Sequence, residues 1–74
     1  QLQQNITVDN KIPLLEIKGY PALVKEIESK KIRVLIRYSG TENLLRILLE
    51  GKEEKILEES MEKTVKFLKS ALNE

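Results

Sequence analysis

Two segments of the chain alternate between apolar and polar positions with a period of two, which is the pattern of a half-buried β-strand. In residues 32–38 the alternation sets Ile32, Val34 and Ile36 against Arg33, Leu35 and Arg37. Because β-branched residues at this period pack well on a pleated surface, this segment is predicted to be a strand. Residues 3–8 predict a second, shorter strand, with Ile6 and Val8 on one face and Thr7 on the other.

Two further segments show the three- and four-residue spacing of an amphipathic helix. In residues 53–72 the apolar positions at this spacing are Leu57, Met61, Val65, Leu68 and Leu72. The glutamates of this segment lie early and its lysines late, which complements the helix dipole. A shorter helix is predicted to begin near Pro21, with Leu23, Val24 and Ile27 on its apolar face. Residues 11–19, which contain Pro13 and end in Gly19, predict an extended connector.

Residues 44–50 fit two interpretations. The spacing of Ser39 and Glu42 matches a helix capping box and would begin a short helix over residues 43–50. The alternative is a strand with Leu45, Ile47 and Leu49 on one face and Arg46, Leu48 and Glu50 on the other. We favour the strand, because a two-turn helix would carry leucines nearly all round and a domain this small could not bury them. The segments then predict an α+β fold in the order β-α-β-β-α, with a small antiparallel sheet of about three to four strands and two helices on one face.

The strand interpretation also predicts a register. Facing residues of an antiparallel pair share a face, so the pairing must preserve that parity. Placing Ser39 opposite Leu44 leaves residues 40–43 as a four-residue loop, which is a common hairpin length. Arg33 then faces Glu50, which predicts an ordinary cross-strand ion pair.

The same register sets Arg37 opposite Arg46. Like charges facing each other across two strands are unfavourable unless an anion lies between them. All three arginines of the chain fall within residues 33–46, whereas its ten lysines lie elsewhere. The planar fork of arginine matches a phosphate or carboxylate with two parallel bonds, so this hairpin is a candidate anion site.

The candidate phosphate-binding residues are Arg37, Ser39, Gly40, Thr41 and Arg46. A loop that sets hydroxyl groups beside a glycine suits a phosphate. The hydroxyls can donate hydrogen bonds to it, and the glycine lets the backbone N–H groups of the loop approach it closely. From the residues alone, a plain hairpin turn is an equally good interpretation. We assign no catalytic residue, because no histidine, cysteine or other plausible base lies near Ser39 in the sequence.

Composition narrows the classes of function. The chain has 74 residues, 41% hydrophobic and 34% charged, which predicts one folded domain covering residues 1–74. It has neither cysteine nor histidine, so it has no disulfide, no thiolate nucleophile, and lacks the commonest general base and the commonest metal ligand. No apolar run approaches the ~20 residues that span a bilayer and no signal-peptide pattern is present, so we expect a cytoplasmic protein without a membrane partner. The first residue is Gln1, which would fit a piece of a longer chain.

The string Arg37-x-Ser39-Gly40-Thr41-Glu42-x-x-x-Arg46, followed by Glu50-Gly51, resembles the C-terminal domain of the α-D-phosphohexomutases. Within that family it is most similar to the phosphoglucosamine mutase branch, because other branches often carry Ser-Asn-Thr here. The predicted elements also come in the family's order, so the resemblance covers nearly the whole chain. One position departs from the pattern: the family often has proline after the glutamate, and this chain has Asn43.

The resemblance implies an enzyme that moves a phosphoryl group between the 1- and 6-oxygens of a hexose phosphate through a bisphosphorylated sugar intermediate. The phosphoserine nucleophile, the Mg²⁺ site and the sugar-recognition loop of such enzymes lie in three preceding domains. This chain would therefore be the C-terminal phosphate-binding domain of a larger multidomain enzyme, without a metal site or activity of its own. Its partners would be the phosphosugar substrate, the bisphosphorylated intermediate and the preceding domains.

The resemblance also implies a role for each site residue. Arg37 would form bidentate bonds to the phosphate that is not being transferred. Ser39 and Thr41 would add hydroxyl and backbone donors, and Gly40 would let the backbone come near. Arg46 would reach the phosphate or brace the loop.

Two alternatives remain open from the sequence. The chain could belong to the phosphomannomutase or phosphoglucomutase branch of the same superfamily. It could also be a small α+β module that binds nucleic acid or protein. A net charge of +1 and the lack of stacking aromatics argue against the nucleic-acid interpretation, so we expect no nucleic-acid partner.

Overall fold

The computed structural model describes residues 1–73 and confirms the predicted α+β order. Its strands are β1 (Leu2–Thr7), β2 (Arg33–Tyr38) and β3 (Leu44–Glu50), and its helices are α1 (Tyr20–Glu28) and α2 (Glu54–Leu72). A 3-10 helix, Leu14–Glu16, interrupts the segment that joins β1 to α1. No helix in the described part of the chain combines the length and the apolar character needed to cross a membrane.

The three strands form one antiparallel sheet in the order β1-β3-β2. The strand interpretation of residues 44–50 is therefore confirmed, and β3 is the central strand. Its register with β2 is the one predicted from side-chain parity, since Arg37 pairs with Arg46 and Arg33 with Glu50. The amide of Ser39 donates to the Leu44 carbonyl at 2.9 Å, which leaves residues 40–43 as the hairpin loop.

One face of the sheet forms the core and the other is open. On β3 the side chains of Leu45, Ile47 and Leu49 are fully buried. They belong to a single apolar cluster with residues of both helices, including Ile27 of α1 and Leu68 of α2. Because successive strand residues point to opposite faces, β2 turns its arginines away from the helices. The arginines of the hairpin therefore lie on the uncovered face.

The connector before α1 differs from its prediction. The sequence predicts extended backbone over residues 11–19, but Leu14–Glu16 form a 3-10 helix, and the amide of Ile17 donates to the Leu14 carbonyl at 3.1 Å. Pro13 precedes this turn, and its fixed φ is compatible with the start of a helix as well as with extended backbone. Helix α1 then begins at Tyr20, after Gly19 with φ 88°, and Pro21 lies in its first turn as predicted.

The predicted ion pair between Arg33 and Glu50 is not formed, although the two residues face each other. Within residues 1–73 the one salt bridge joins Lys63 of α2 to Glu26 of α1. The hydrogen bond from Lys63 lowers the pKa of the Glu26 carboxyl below its ordinary value. Both partners are exposed, so the pair links the two helices with little effect on stability.

Lys31, which follows α1, adopts a left-handed backbone conformation with φ 62°. A side chain with a Cβ atom is strained there, and glycine is not. We expect Lys31→Gly to raise the free energy of unfolding by about 0.5–1 kcal/mol, after allowing for the extra freedom of glycine in the unfolded chain. Urea denaturation would measure this.

The matched control is Lys30→Gly, since among the described residues positive φ is found only at Gly19 and Lys31. This substitution should destabilise the protein by about 0.5–1 kcal/mol, because it adds unfolded-state freedom and relieves no strain. Equal effects at the two positions would contradict the strain at Lys31.

Candidate functional site

The β2–β3 hairpin brings four of the five candidate residues together. Arg37, Ser39, Gly40 and Arg46 line a concave site of about 300 Å³, together with Tyr38. This volume lies at the small end of ligand sites in proteins and is sufficient for a phosphate. The site sits at the end of the sheet where β2 leaves and β3 begins.

The two arginines of the site are directly opposite each other on the uncovered face of the sheet. Their Cβ atoms are therefore separated by roughly 5 Å, as for any cross-strand pair. Neither guanidinium forms a salt bridge with a carboxylate in residues 1–73. The hairpin thus holds two arginines on facing positions without a carboxylate partner, an arrangement that an anion would stabilise.

Ser39 organises the turn between the two arginines. Its Oγ accepts hydrogen bonds from the amides of Glu42 at 3.2 Å and of Thr41 at 3.4 Å. This is the serine-to-glutamate contact of a capping box, but here it closes a turn and no helix follows. Because both contacts use the oxygen as acceptor, the hydroxyl hydrogen of Ser39 is left to donate to a ligand.

Gly40 is not explained by the protein's own packing. A Cβ atom built on it would meet no other atom within 4 Å. Its φ is not among the positive values found in residues 1–73, so the turn does not demand glycine either. The missing side chain leaves open space over the backbone, which a ligand could occupy at short range.

Most of the chain matches a known protein family. Residues 4–67 match the family described as phosphoglucomutase/phosphomannomutase, C-terminal domain. The chain belongs to this family. The resemblance seen in the sequence is thereby confirmed.

Several curated relatives are named phosphoglucosamine mutase. The chain is 56% identical over 70 residues to one from a Nitratiruptor species, a match that covers 95% of this chain and 16% of the relative. It is 54% identical over 68 residues to one from Helicobacter pylori, covering 92% of this chain and 15% of the relative. For the one from Campylobacter hominis the identity is 49% over 74 residues, with 100% and 17% covered. The chain thus spans about a sixth of the length of these relatives, and no solved structure matches it.

In this phosphohexomutase domain, Thr41 stands apart from the other four candidate residues. It is exposed, and it is not among the residues that line the concave site. Its amide is already directed toward the Ser39 hydroxyl oxygen. A contact between Thr41 and a phosphate therefore stays a prediction and would require the loop tip to fold over the ligand.

The segment that follows β1 also contacts the hairpin, which the sequence did not predict. The Lys11 ammonium donates to the Ser39 carbonyl at 2.8 Å, and the Tyr38 hydroxyl donates to the Ile12 carbonyl at 2.5 Å. Burial raises the pKa of the Tyr38 hydroxyl, so it remains a donor. The only signal for these contacts would have been the strand order, because pairing β1 with β3 brings residues 8–12 beside the start of β3.

A larger cavity, of about 510 Å³, lies at the opposite end of the sheet. Lysines 30, 31 and 52 line it, but so do Glu50 and Glu53. The carboxylates largely offset the lysine charges and would repel a phosphate at short range. The hairpin site has two arginines and no carboxylate among its lining residues, so it is the better anion site.

Residues 1–73 contain no group of three or more histidine, cysteine, aspartate or glutamate side chains placed to hold a metal ion. The hairpin itself offers cationic and hydroxyl donors, whereas Mg²⁺ requires oxygen ligands, mainly carboxylates. The residues that line the hairpin site therefore do not fit a magnesium ion.

Proposed function

We propose that this chain is the substrate-phosphate-binding domain of a larger mutase that interconverts the 6-phosphate and 1-phosphate of a hexosamine, with glucosamine phosphate as the substrate. The observation that supports this most directly is the pairing of Arg37 with Arg46, without a carboxylate beside them, next to the Ser39–Gly40 turn. The choice of sugar follows the relatives, which are named phosphoglucosamine mutase. The phosphomannomutase and phosphoglucomutase branch is the alternative.

The proposed role of the hairpin is to hold the phosphate that is not being transferred. Arg37 would bind it through two parallel N–H bonds, and the Ser39 hydroxyl would donate a third. Each such charge-assisted bond contributes roughly 1.5–3 kcal/mol when water is excluded and less when it is exposed. Fixing one end of the sugar positions the other end for reaction, and phosphoryl transfer depends largely on positioning.

The same geometry suits an intermediate that must turn round during the reaction. The residues that line the site offer donors for a phosphate and no carboxylate or amide side chain that would read the hydroxyl groups of a sugar. A hairpin that recognises only the phosphate can accept either end of a bisphosphorylated sugar. We propose that the phosphoserine nucleophile, the Mg²⁺ ion and the residues that recognise the sugar belong to other domains of the enzyme, outside these 74 residues. We therefore expect this chain alone to show no turnover.

Amide and arginine-side-chain NMR of this chain, titrated with inorganic phosphate, tests the proposal. We expect shifts concentrated at Ser39, Gly40 and Thr41 and at the Nε of Arg37, with a dissociation constant on the order of millimolar. The binding should be weak because a single hairpin covers only one side of the ion. The Nε of Arg33 serves as an internal control, since it lies on the same face of β2 about 13 Å away.

Two outcomes would contradict the proposal. One is a phosphate response confined to Lys30, Lys31 and Lys52, at the other end of the sheet. The other is an absence of any response to phosphate together with a response to oligonucleotides, which would favour the nucleic-acid-binding alternative.

A further inference from the structure

The hydrogen bonds at the mouth of the hairpin are asymmetric. The Ser39 amide donates to the Leu44 carbonyl at 2.9 Å, as expected for a closing pair of an antiparallel hairpin. The reciprocal bond, from the Leu44 amide to the Ser39 carbonyl, is not formed in the described structure. The Lys11 ammonium donates to that carbonyl instead, at 2.8 Å. A residue 28 positions away in the chain thus completes the hairpin.

Holding the Ser39 carbonyl also fixes the direction of the next amide. The carbonyl of Ser39 and the N–H of Gly40 belong to one planar peptide group, and residues 1–73 contain no cis peptide bond. In a trans peptide the C=O and N–H bonds point in opposite directions. Because Lys11 grips the oxygen, the Gly40 N–H must point away from Lys11, and Gly40 lines the concave site while Lys11 does not.

The contact has an electrostatic consequence as well. A cation at the carbonyl oxygen polarises the peptide group and makes its N–H a stronger donor. In residues 1–73 the Gly40 amide has no protein acceptor, so this strengthened donor is free for a ligand. Lys11 thereby strengthens a hydrogen-bond donor of the site by polarising the peptide group, without contacting the anion itself.

Lys11 is itself held in place by its neighbours. The Val8 amide donates to the Asn43 carbonyl at 2.9 Å, on one side of the loop, and the Tyr38 hydroxyl donates to the Ile12 carbonyl on the other. Asn73 adds two more bonds, accepting from the Asp9 amide and donating to the Thr7 carbonyl. The segment 8–12 is thus fastened along the loop, which keeps the Lys11 side chain within reach of the Ser39 carbonyl.

We propose that Lys11 is a positioning residue of the phosphate site, which orients and polarises the Ser39–Gly40 peptide so that the Gly40 amide donates to the bound phosphate. This inference rests on the proposed function, because it assumes that the anion binds at the hairpin. It adds a residue outside the Arg-x-Ser-Gly-Thr motif. It also gives a backbone amide, and not only the arginines, a defined part in binding.

Lys11→Met tests the inference by keeping the length of the side chain and removing its charge. With inorganic phosphate as the probe, we expect binding to this chain to weaken about three- to tenfold. The phosphate-induced shift of the Gly40 amide should shrink at saturation, whereas that of the Arg37 Nε should persist. Lys11→Arg, which keeps a cationic donor, should restore most of both the affinity and the Gly40 shift.

Lys55→Met is the matched control, because it removes the same charge from an exposed position in the first turns of α2, toward the far end of the sheet. It should bind phosphate as the wild type does. If Lys55→Met and Lys11→Met weaken phosphate binding equally, the effect is one of net charge and the inference is overturned. It is also overturned if the Lys11→Met protein binds phosphate with wild-type affinity and shows an unchanged Gly40 shift. If the wild type itself shows no phosphate response, the proposed function fails first. Dispersed amide spectra of each variant confirm that it is folded.

Discussion

Replacing Arg37 with alanine in the proposed full-length mutase is expected to lower kcat/KM by about ten- to one-hundred-fold. Under the proposed function the substitution removes at least one charge-assisted bond to the distal phosphate, worth roughly 1.5–3 kcal/mol in a closed cleft. Part of the loss should fall on KM, because the substrate is held less tightly. Part should fall on kcat, because a sugar held less firmly at one end is positioned less well at the other. Steady-state kinetics with glucosamine 6-phosphate would measure both.

Arg33→Ala is the matched control for this prediction. Arg33 lies on the same strand and the same face, carries the same charge, and faces Glu50 instead of another arginine. It forms no salt bridge in residues 1–73, so its removal should leave kcat/KM within about twofold of the wild type. Wild-type kinetics for Arg37→Ala, or equal losses for the two variants, would remove the basis for placing the phosphate at the hairpin.

The stability of the Arg37→Ala protein should separate a functional loss from a folding defect. Like charges that face each other across a strand pair are destabilising, so removing one of them should not lower the thermal midpoint. The Arg37 side chain is also exposed, and its truncation opens no cavity in the core. A variant with reduced activity and an unchanged or slightly higher midpoint is the result that fits an arginine retained for binding.

The parts of the fold that the sequence predicted are those set by local pattern. Alternation identified β2 and β3, and parity then fixed the register that sets Arg37 against Arg46. The competing helix failed because β3 is buried on one side as the central strand, which period-two spacing satisfies. The candidate site could be located for the same reason, since its residues are contributed by one hairpin.

What the sequence did not predict depends on contacts between distant segments. One example is the pairing of β1 with β3, which makes β3 the central strand. This pairing brings the segment after β1, and with it Lys11, next to Ser39. Lys63 of α2 pairs with Glu26 of α1, a contact between two helices that spacing along the chain does not show. Exposed ion pairs contribute little to stability, so the sequence does not determine which partner an exposed charged residue takes.

The largest effect on stability is expected for Ile47→Ala. Ile47 is fully buried in the middle of β3, opposite Ile36 on one side and Gln4 on the other. Truncating a buried isoleucine to alanine costs about 2–5 kcal/mol in lost burial and cavity formation. A domain of 74 residues has roughly 4–11 kcal/mol of total stability, so this one change removes a large part of it. Thermal denaturation followed by circular dichroism should show the midpoint falling by at least about 10 °C.

Leu35→Ala is the control, because Leu35 lies on the uncovered face of β2 and is 46% exposed. It should change the free energy of unfolding by less than about 1 kcal/mol, and a cost equal to that of Ile47→Ala would contradict the assignment of the two faces.

Ile47 also adjoins Arg46, so the core that it stabilises supports one wall of the proposed phosphate site. If phosphate binds the folded hairpin as proposed, and not the unfolded chain, phosphate at about ten times its dissociation constant should return about 1.4 kcal/mol to the Ile47→Ala protein. Stabilisation of that size would show that the weakened sheet still holds Arg37 and Arg46 in register.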